Sequence, residues 1–145
     1  MIRLVVAVIF LFWSLFAIAA DWQIVADTKL GKLQLDKASV RADGQLTKAV
    51  LVYEFKDLQK LTGPNGAVFN KRQDEVLVNC AKPSLGILSS RFFEDDKLAG
   101  SFNSKAEQIK FKPSEAGTMI ETVVLAVCTV ISGEHKGSAA HVPAK

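Results

Sequence analysis

The sequence has little of what catalysis usually requires. Of its 145 residues only two are histidine and two cysteine, and His135 and His141 both stand close to the C-terminus. A general base there has no rigid neighbours to hold it against a substrate, and two imidazoles without a third fixed ligand make a poor zinc site. There is no Gly-rich phosphate loop, no Gly-x-Ser-x-Gly element and no cysteine paired with a nearby histidine. Glu94-Asp95-Asp96 gathers three carboxylates but lacks the alternating ligand spacing with which a loop surrounds calcium, so it reads as a charged hairpin tip. These gaps point away from an enzyme; no catalytic, cofactor-binding or metal-binding residue is expected, and no cofactor.

A surplus of one charge is missing too. Eighteen basic residues face fifteen acidic ones, a formal net charge of +3, and the lysines and arginines are dispersed along the chain. That excludes the basic stripe of a nucleic-acid-binding surface.

Long apolar runs are scarce, with one exception. Leu4 to Ala20 is almost wholly apolar, follows the single positive residue Arg3, and ends in the small residues Ala17-Ile18-Ala19-Ala20. A positive start, an apolar middle and a small-residue end describe a secretory signal peptide over residues 1–20, cleaved after Ala19 or Ala20. The competing reading is an uncleaved membrane anchor, because the run approaches the roughly 20 residues that span a bilayer. No cysteine lies near the cleavage point, so a lipid-anchored N-terminus is not expected. Without the leader the balance is 17 basic against 15 acidic residues, and about 125 residues make one small domain with one core. The expected division is residues 1–20 as leader, 21–132 as the domain and 133–145 as a flexible tail.

Both cysteines lie beyond the leader. In an oxidising compartment Cys80 and Cys128 are expected to pair, closing a loop whose entropy is worth roughly 4 kcal/mol in the chain-entropy model. Two unpaired buried thiols are the alternative.

Along the domain, Trp22–Val25 and Lys32–Leu35 alternate as a hairpin, and Ala42-Asp43-Gly44 carries an Asp-Gly turn signal. Leu46 to Phe55 places Leu51, Tyr53 and Phe55 on one face and Val50 and Val52 on the other, so it reads as a central strand covered on both sides. Leu61 to Gly66 is a Pro/Gly loop and Lys71 to Glu75 a solvated charged segment. Val76 to Asn79 is a β-branched strand ending at Cys80. Ile87–Phe93 and Lys97–Phe102 form a second hairpin, and Gln108–Phe111 a last edge strand halted by Pro113.

Ser114 to Ile131 is ambiguous. Its β-branched content favours a strand, whereas Pro113-Ser114-Glu115 resembles a helix start and Met119, Val123, Val127 and Val130 recur at helical spacing. The length exceeds an ordinary strand, so a helix is expected, with Cys128 near its end. The architecture is then α+β: a meandering antiparallel sheet closed by one helix.

Trp22, the Asp36–Gly44 region, Val76-Leu77-Val78-Asn79-Cys80, Arg91-Phe92-Phe93 with Asp96, Gly100 and Ser101, Lys112-Pro113-Ser114 and the closing Val127-Cys128 together resemble the surface-adhesin protein E family of Gram-negative bacteria. The resemblance runs from Asp21 to Cys128. It implies an antiparallel sheet of about six strands with a C-terminal helix packed on it and tied by the Cys80–Cys128 disulfide, and, for function, adhesion to host proteins. Two departures stand out: the lipoprotein cysteine is absent, and Ile109 or Phe111 replaces a tryptophan before the Pro-Ser element.

Two functions follow as expectations. The first is a non-enzymatic exported binding or accessory protein of the periplasm or cell surface, engaging a host or envelope protein through sheet edges or the Gly63–Gly66 loop, with self-association into a homodimer left open. The second is a periplasmic small-ligand carrier or inhibitor with an apolar pocket between sheet and helix, lined by residues such as Val52, Phe92 and Val123. A hydrolase would need a convergent polar constellation that the sequence does not display. Neither nucleic acid nor a transmembrane segment in the mature chain is expected.

Overall fold

The computed structural model describes residues 21–62 and 66–138, with the side chains of 134–138 left aside. The expected leader over residues 1–20, most of the Gly63–Gly66 loop, and residues 139–145 with His141 lie outside the described residues.

Strands β1 (Trp22–Asp27), β2 (Gly31–Asp43), β3 (Leu46–Lys60), β4 (Val68–Asn79), β5 (Ser84–Glu94) and β6 (Lys97–Asn103) pair in chain order as an antiparallel meander. The two-residue β7 (Lys112–Pro113) pairs with the start of β5, and helix α1 (Met119–Ser138) follows. Period-two alternation decides which face is buried. Leu33 and Leu35 on β2, Ala49 and Leu51 on β3, and Val76 and Val78 on β4 point to one side, where Val123, Val124 and Val127 of α1 meet them. Leu35, Val76, Val78 and Val127 are fully enclosed.

The hairpins follow turn chemistry visible in the chain. Asp43 pairs with Leu46, and Gly44 (φ 62°) supplies the left-handed residue that a two-residue turn needs. At the β5–β6 turn Asp95 takes the left-handed position itself (φ 53°). Asn70 holds it there, donating to the Asp95 carboxylate at 2.9 Å and accepting from the Asp95 amide at 2.8 Å. Inside β2 the ladder slips between Asp36 and Arg41. Ser39 repairs the break: its hydroxyl donates to the Asp36 carbonyl at 2.6 Å and accepts from the Val50 amide at 2.8 Å.

The ambiguous C-terminal segment is a helix, but it starts at Met119, four residues after Glu115, and runs to Ser138. Thr118 and Glu121 set the start. The Thr118 hydroxyl accepts from the Glu121 amide at 3.3 Å, and the Glu121 carboxylate accepts from the Gly117 amide at 2.8 Å. This is a Thr-x-x-Glu capping box reaching one residue further back than usual. Cys128 therefore sits mid-helix, not near its end, and the Cys80–Cys128 disulfide forms with the Cα atoms 5.8 Å apart. The β-branched residues that argued for a strand are tolerated because Val123, Val124 and Val127 are buried against the sheet, and tertiary packing outweighs a propensity of a few tenths of a kcal/mol per residue.

Three further expectations are corrected. Beyond Asn103 the chain forms a single 3-10 turn (Ala106–Gln108) and then β7, not a strand over 108–111. Lys71 to Glu75 is not a solvated segment but the middle of β4. The central strand β3 is covered on one face only; on the other, Val50 and Val52 lie between Lys48 and Glu54, all partly exposed or open to solvent.

Replacing both cysteines (Cys80→Ala/Cys128→Ala) is expected to lower the free energy of unfolding by about 2–4 kcal/mol, read as a shift of the urea midpoint. Leu35→Ala is expected to cost about 2–5 kcal/mol in the same assay. An unchanged midpoint in the double variant would show that the helix is held by packing alone.

Candidate functional site

The helix is narrower than the sheet it covers. Between the first turns of α1, the sheet face and the segment crossing from β6 to β7 lies a cavity of about 610 Å³. Its floor is Leu33, Leu51, Tyr53, Val76, Leu85 and Ile87, one wall is Met119, Ile120 and Val123, and the opposite wall is Phe102, Ser104 and Gln108. Lys110 and Lys112 stand on the same side as Phe102. Of the three residues expected to line such a pocket, Val123 does so. Val52 pairs with Gln34 and Gln73 on the uncovered face. Phe92 belongs to an aromatic row beside the cavity in which Tyr53, Phe55, Phe69 and Phe92 follow one another at centroid distances of 4.3, 5.5 and 4.9 Å.

The cavity floor also carries a polar cluster that the charged run Lys71–Glu75 concealed. Arg72 and Asp74 are two apart on β4 and so share the helix side of the sheet, while Ser90 faces Asp74 across the β4–β5 ladder. The buried Asp74 carboxylate takes the Arg72 guanidinium at 2.9 Å on one oxygen and the Ser90 hydroxyl at 2.6 Å on the other. Arg72 Nε is enclosed and has no hydrogen-bond partner. The signal in the sequence was the pattern Arg72-x-Asp74-x-Val76-x-Val78, in which two charged residues keep step with two core valines. Chemically the cluster is a satisfied ion pair with one spare donor; a carboxylate without an imidazole partner is a poor activator of a serine hydroxyl.

The segment after β6 straddles the sheet edge. Gln108 and Lys110 face the cavity, whereas Ile109 and the Phe111 ring lie against Gly86, where an added Cβ would stand 2.5 Å from Ile109 Cγ2. Ile109 and Phe111 thus close the strand edge over a glycine. Two of the three carboxylates of the Glu94–Asp96 tip are committed to neighbours: Asp95 to Asn70, and Asp96 to the Lys71 ammonium at 2.7 Å. The hydrogen bond to Lys71 and its charge hold the Asp96 carboxyl below its ordinary value. Among the described residues no group of three His, Cys, Asp or Glu side chains is placed to hold a metal ion, and no helix is long and apolar enough to cross a membrane.

The second candidate surface is the face of the sheet opposite the helix, with the free edge at β1. Trp22 and Ile24 pair with Asp36 and Gln34 and share their face. They are 44% and 58% exposed, and Leu30, in the turn after β1, is 68% exposed. From Ile24 the register crosses Gln34, Val52, Gln73 and Arg91, so a short apolar stripe merges into a polar one. Beside it, Lys48 and Glu75 form an ion pair at 2.7 Å.

The family model described as Surface-adhesin protein E matches residues 22–129. Solved structures of Haemophilus influenzae protein E share the fold. One superposes with a TM-score of 0.54 at 12% identity over 74% of this chain and 83% of that one. Its selenomethionine form gives 0.52 at 14% over 74% and 85%, and protein E from non-typeable Haemophilus influenzae gives 0.51 at 14% over 73% and 75%. No curated protein matches the sequence.

Asp74→Ala is expected to destabilise the domain by about 1–3 kcal/mol in urea unfolding, because the Arg72 guanidinium and the Ser90 hydroxyl both lose their acceptor. Gly86→Val is expected to push Ile109 out of its seat, seen as increased amide exchange across residues 106–113.

Proposed function

Because the chain belongs to the surface-adhesin protein E family, we propose that it is an exported, non-enzymatic adhesin that binds a host protein through the uncovered sheet face and the β1 edge. The observation that carries this reading is the exposure of Trp22 and Ile24 at the free β1 end of the uncovered sheet face. Isolated surface leucines are ordinary, but a tryptophan and an isoleucine two apart on an edge strand form a local apolar patch, and tryptophan is among the residues most enriched at binding hot spots. The outer backbone groups of β1 are unpaired within the sheet and suit an added strand from a partner.

The proposed destination is the outer cell surface, reached by the leader and without lipid attachment. Protease treatment of intact cells is expected to remove the domain, and full protection would place it in the periplasm instead. Immobilised domain is expected to retain a host protein. The double change Trp22→Ser/Ile24→Ser should reduce that retention by tenfold or more, as loss of a hot spot of about 2 kcal/mol requires. Its melting temperature should stay close to that of the parent, since both side chains are exposed.

A further inference from the structure

We propose that the cavity between α1 and the sheet is a binding site for an aliphatic carboxylate of fatty-acid type, with the chain against the apolar floor and the carboxylate toward Lys110 and Lys112. Three observations support this assignment. The volume of about 610 Å³ lies within the range of small-molecule sites. Large apolar side chains line it while remaining open to solvent, notably Phe102, Met119 and Ile87, and an apolar occupant would remove that surface from water.

The third observation is charge. Lys110, Lys112 and Arg72 line the cavity against a single acid, Asp74, which is already engaged by Arg72 and Ser90. The unpaired charges at the site are therefore the two lysines, and their sign selects an anion over a neutral or cationic amphiphile. The enclosed Arg72 Nε, which has no partner, leaves one uncommitted N–H donor beneath the floor. An elongated apolar ligand suits the site better than a compact polar one, because the hydrogen-bonding groups of the floor are largely used internally whereas its leucine, valine and isoleucine side chains are free to make contact.

This site is separate from the β1 patch, so the two readings fail independently. The test is isothermal titration of the chain lacking its leader with dodecanoate below its micelle-forming concentration, alongside dodecan-1-ol and dodecyltrimethylammonium. Saturable one-to-one binding of dodecanoate is expected, at least tenfold tighter than either comparison ligand. Lys110→Glu/Lys112→Glu, both at exposed positions, should weaken dodecanoate about tenfold, equivalent to about 1.4 kcal/mol, with the melting temperature preserved. Ile120→Trp should obstruct the cavity and abolish binding, whereas Trp22→Ser/Ile24→Ser should leave it intact. Absence of saturable binding, equal affinity for the alcohol, or undiminished binding by the lysine variant would each overturn the assignment.

Discussion

One constraint organises the molecule: a single helix must cover one face of a six-stranded sheet, and it is held there by the Cys80–Cys128 link and by the valines around it. Cys80 stands immediately after β4 and Cys128 in the middle of α1, so the bond joins the centre of the helix to the end of a core strand. Val123, Val124 and Val127 then fill the space over Leu35, Ala49, Val76 and Val78. A segment rich in β-branched residues has no strong helical preference of its own, and it is helical here because its buried stripe is satisfied only in that form. The covalent tie restricts the alternatives of the unfolded chain, and the packing selects among those that remain.

The same constraint leaves two surfaces uncovered. Toward the start of α1 the helix does not reach across the sheet, and the β6–β7 crossing stands off, which opens the cavity. On the opposite face no helix packs; Ile109 and Phe111 seat on Gly86 at the β5 side, and toward β1 polar residues alternate with Val50 and Val52 up to the exposed Trp22 and Ile24. A one-helix, one-sheet sandwich is therefore rigid in its middle and available on both flanks. The rigid middle carries the Asp74 cluster, whose cost of burial is offset because each carboxylate oxygen has a partner. The likeness to Haemophilus influenzae protein E extends to this architecture.

Much of the architecture was legible because turns and strands have local causes. Asp43-Gly44 marks a two-residue turn, alternation at Leu33/Leu35 and Val76/Val78 marks strands with one buried face, and two lone cysteines mark a bridge. Less legible were features in which local and tertiary preferences disagree. Lys71 to Glu75 looks solvated because four of its five residues are charged, yet Asp74 is buried, since Ser90 and Arg72 arrive from positions 16 residues downstream and two upstream to satisfy it. The helix start was misplaced because Pro113-Ser114-Glu115 has the composition of a helix N-terminus, while Thr118 and Glu121 have its hydrogen bonds. Val50 and Val52 appeared to belong to a second core because alternation reveals two faces without revealing which one a helix will cover.

The sequence by itself pointed to the six main strands, to a helical ending, to two cysteines expected to pair and to the family resemblance, through spacing, turn residues and composition. Only the tertiary structure decided where the cavity lies, that Arg72, Asp74 and Ser90 meet on its floor, that Lys110 and Lys112 stand at its side, and that Trp22 and Ile24 face solvent. Those relations join residues tens of positions apart through sheet register and the placement of one helix, and no local pattern encodes the distance between side chains carried by different strands.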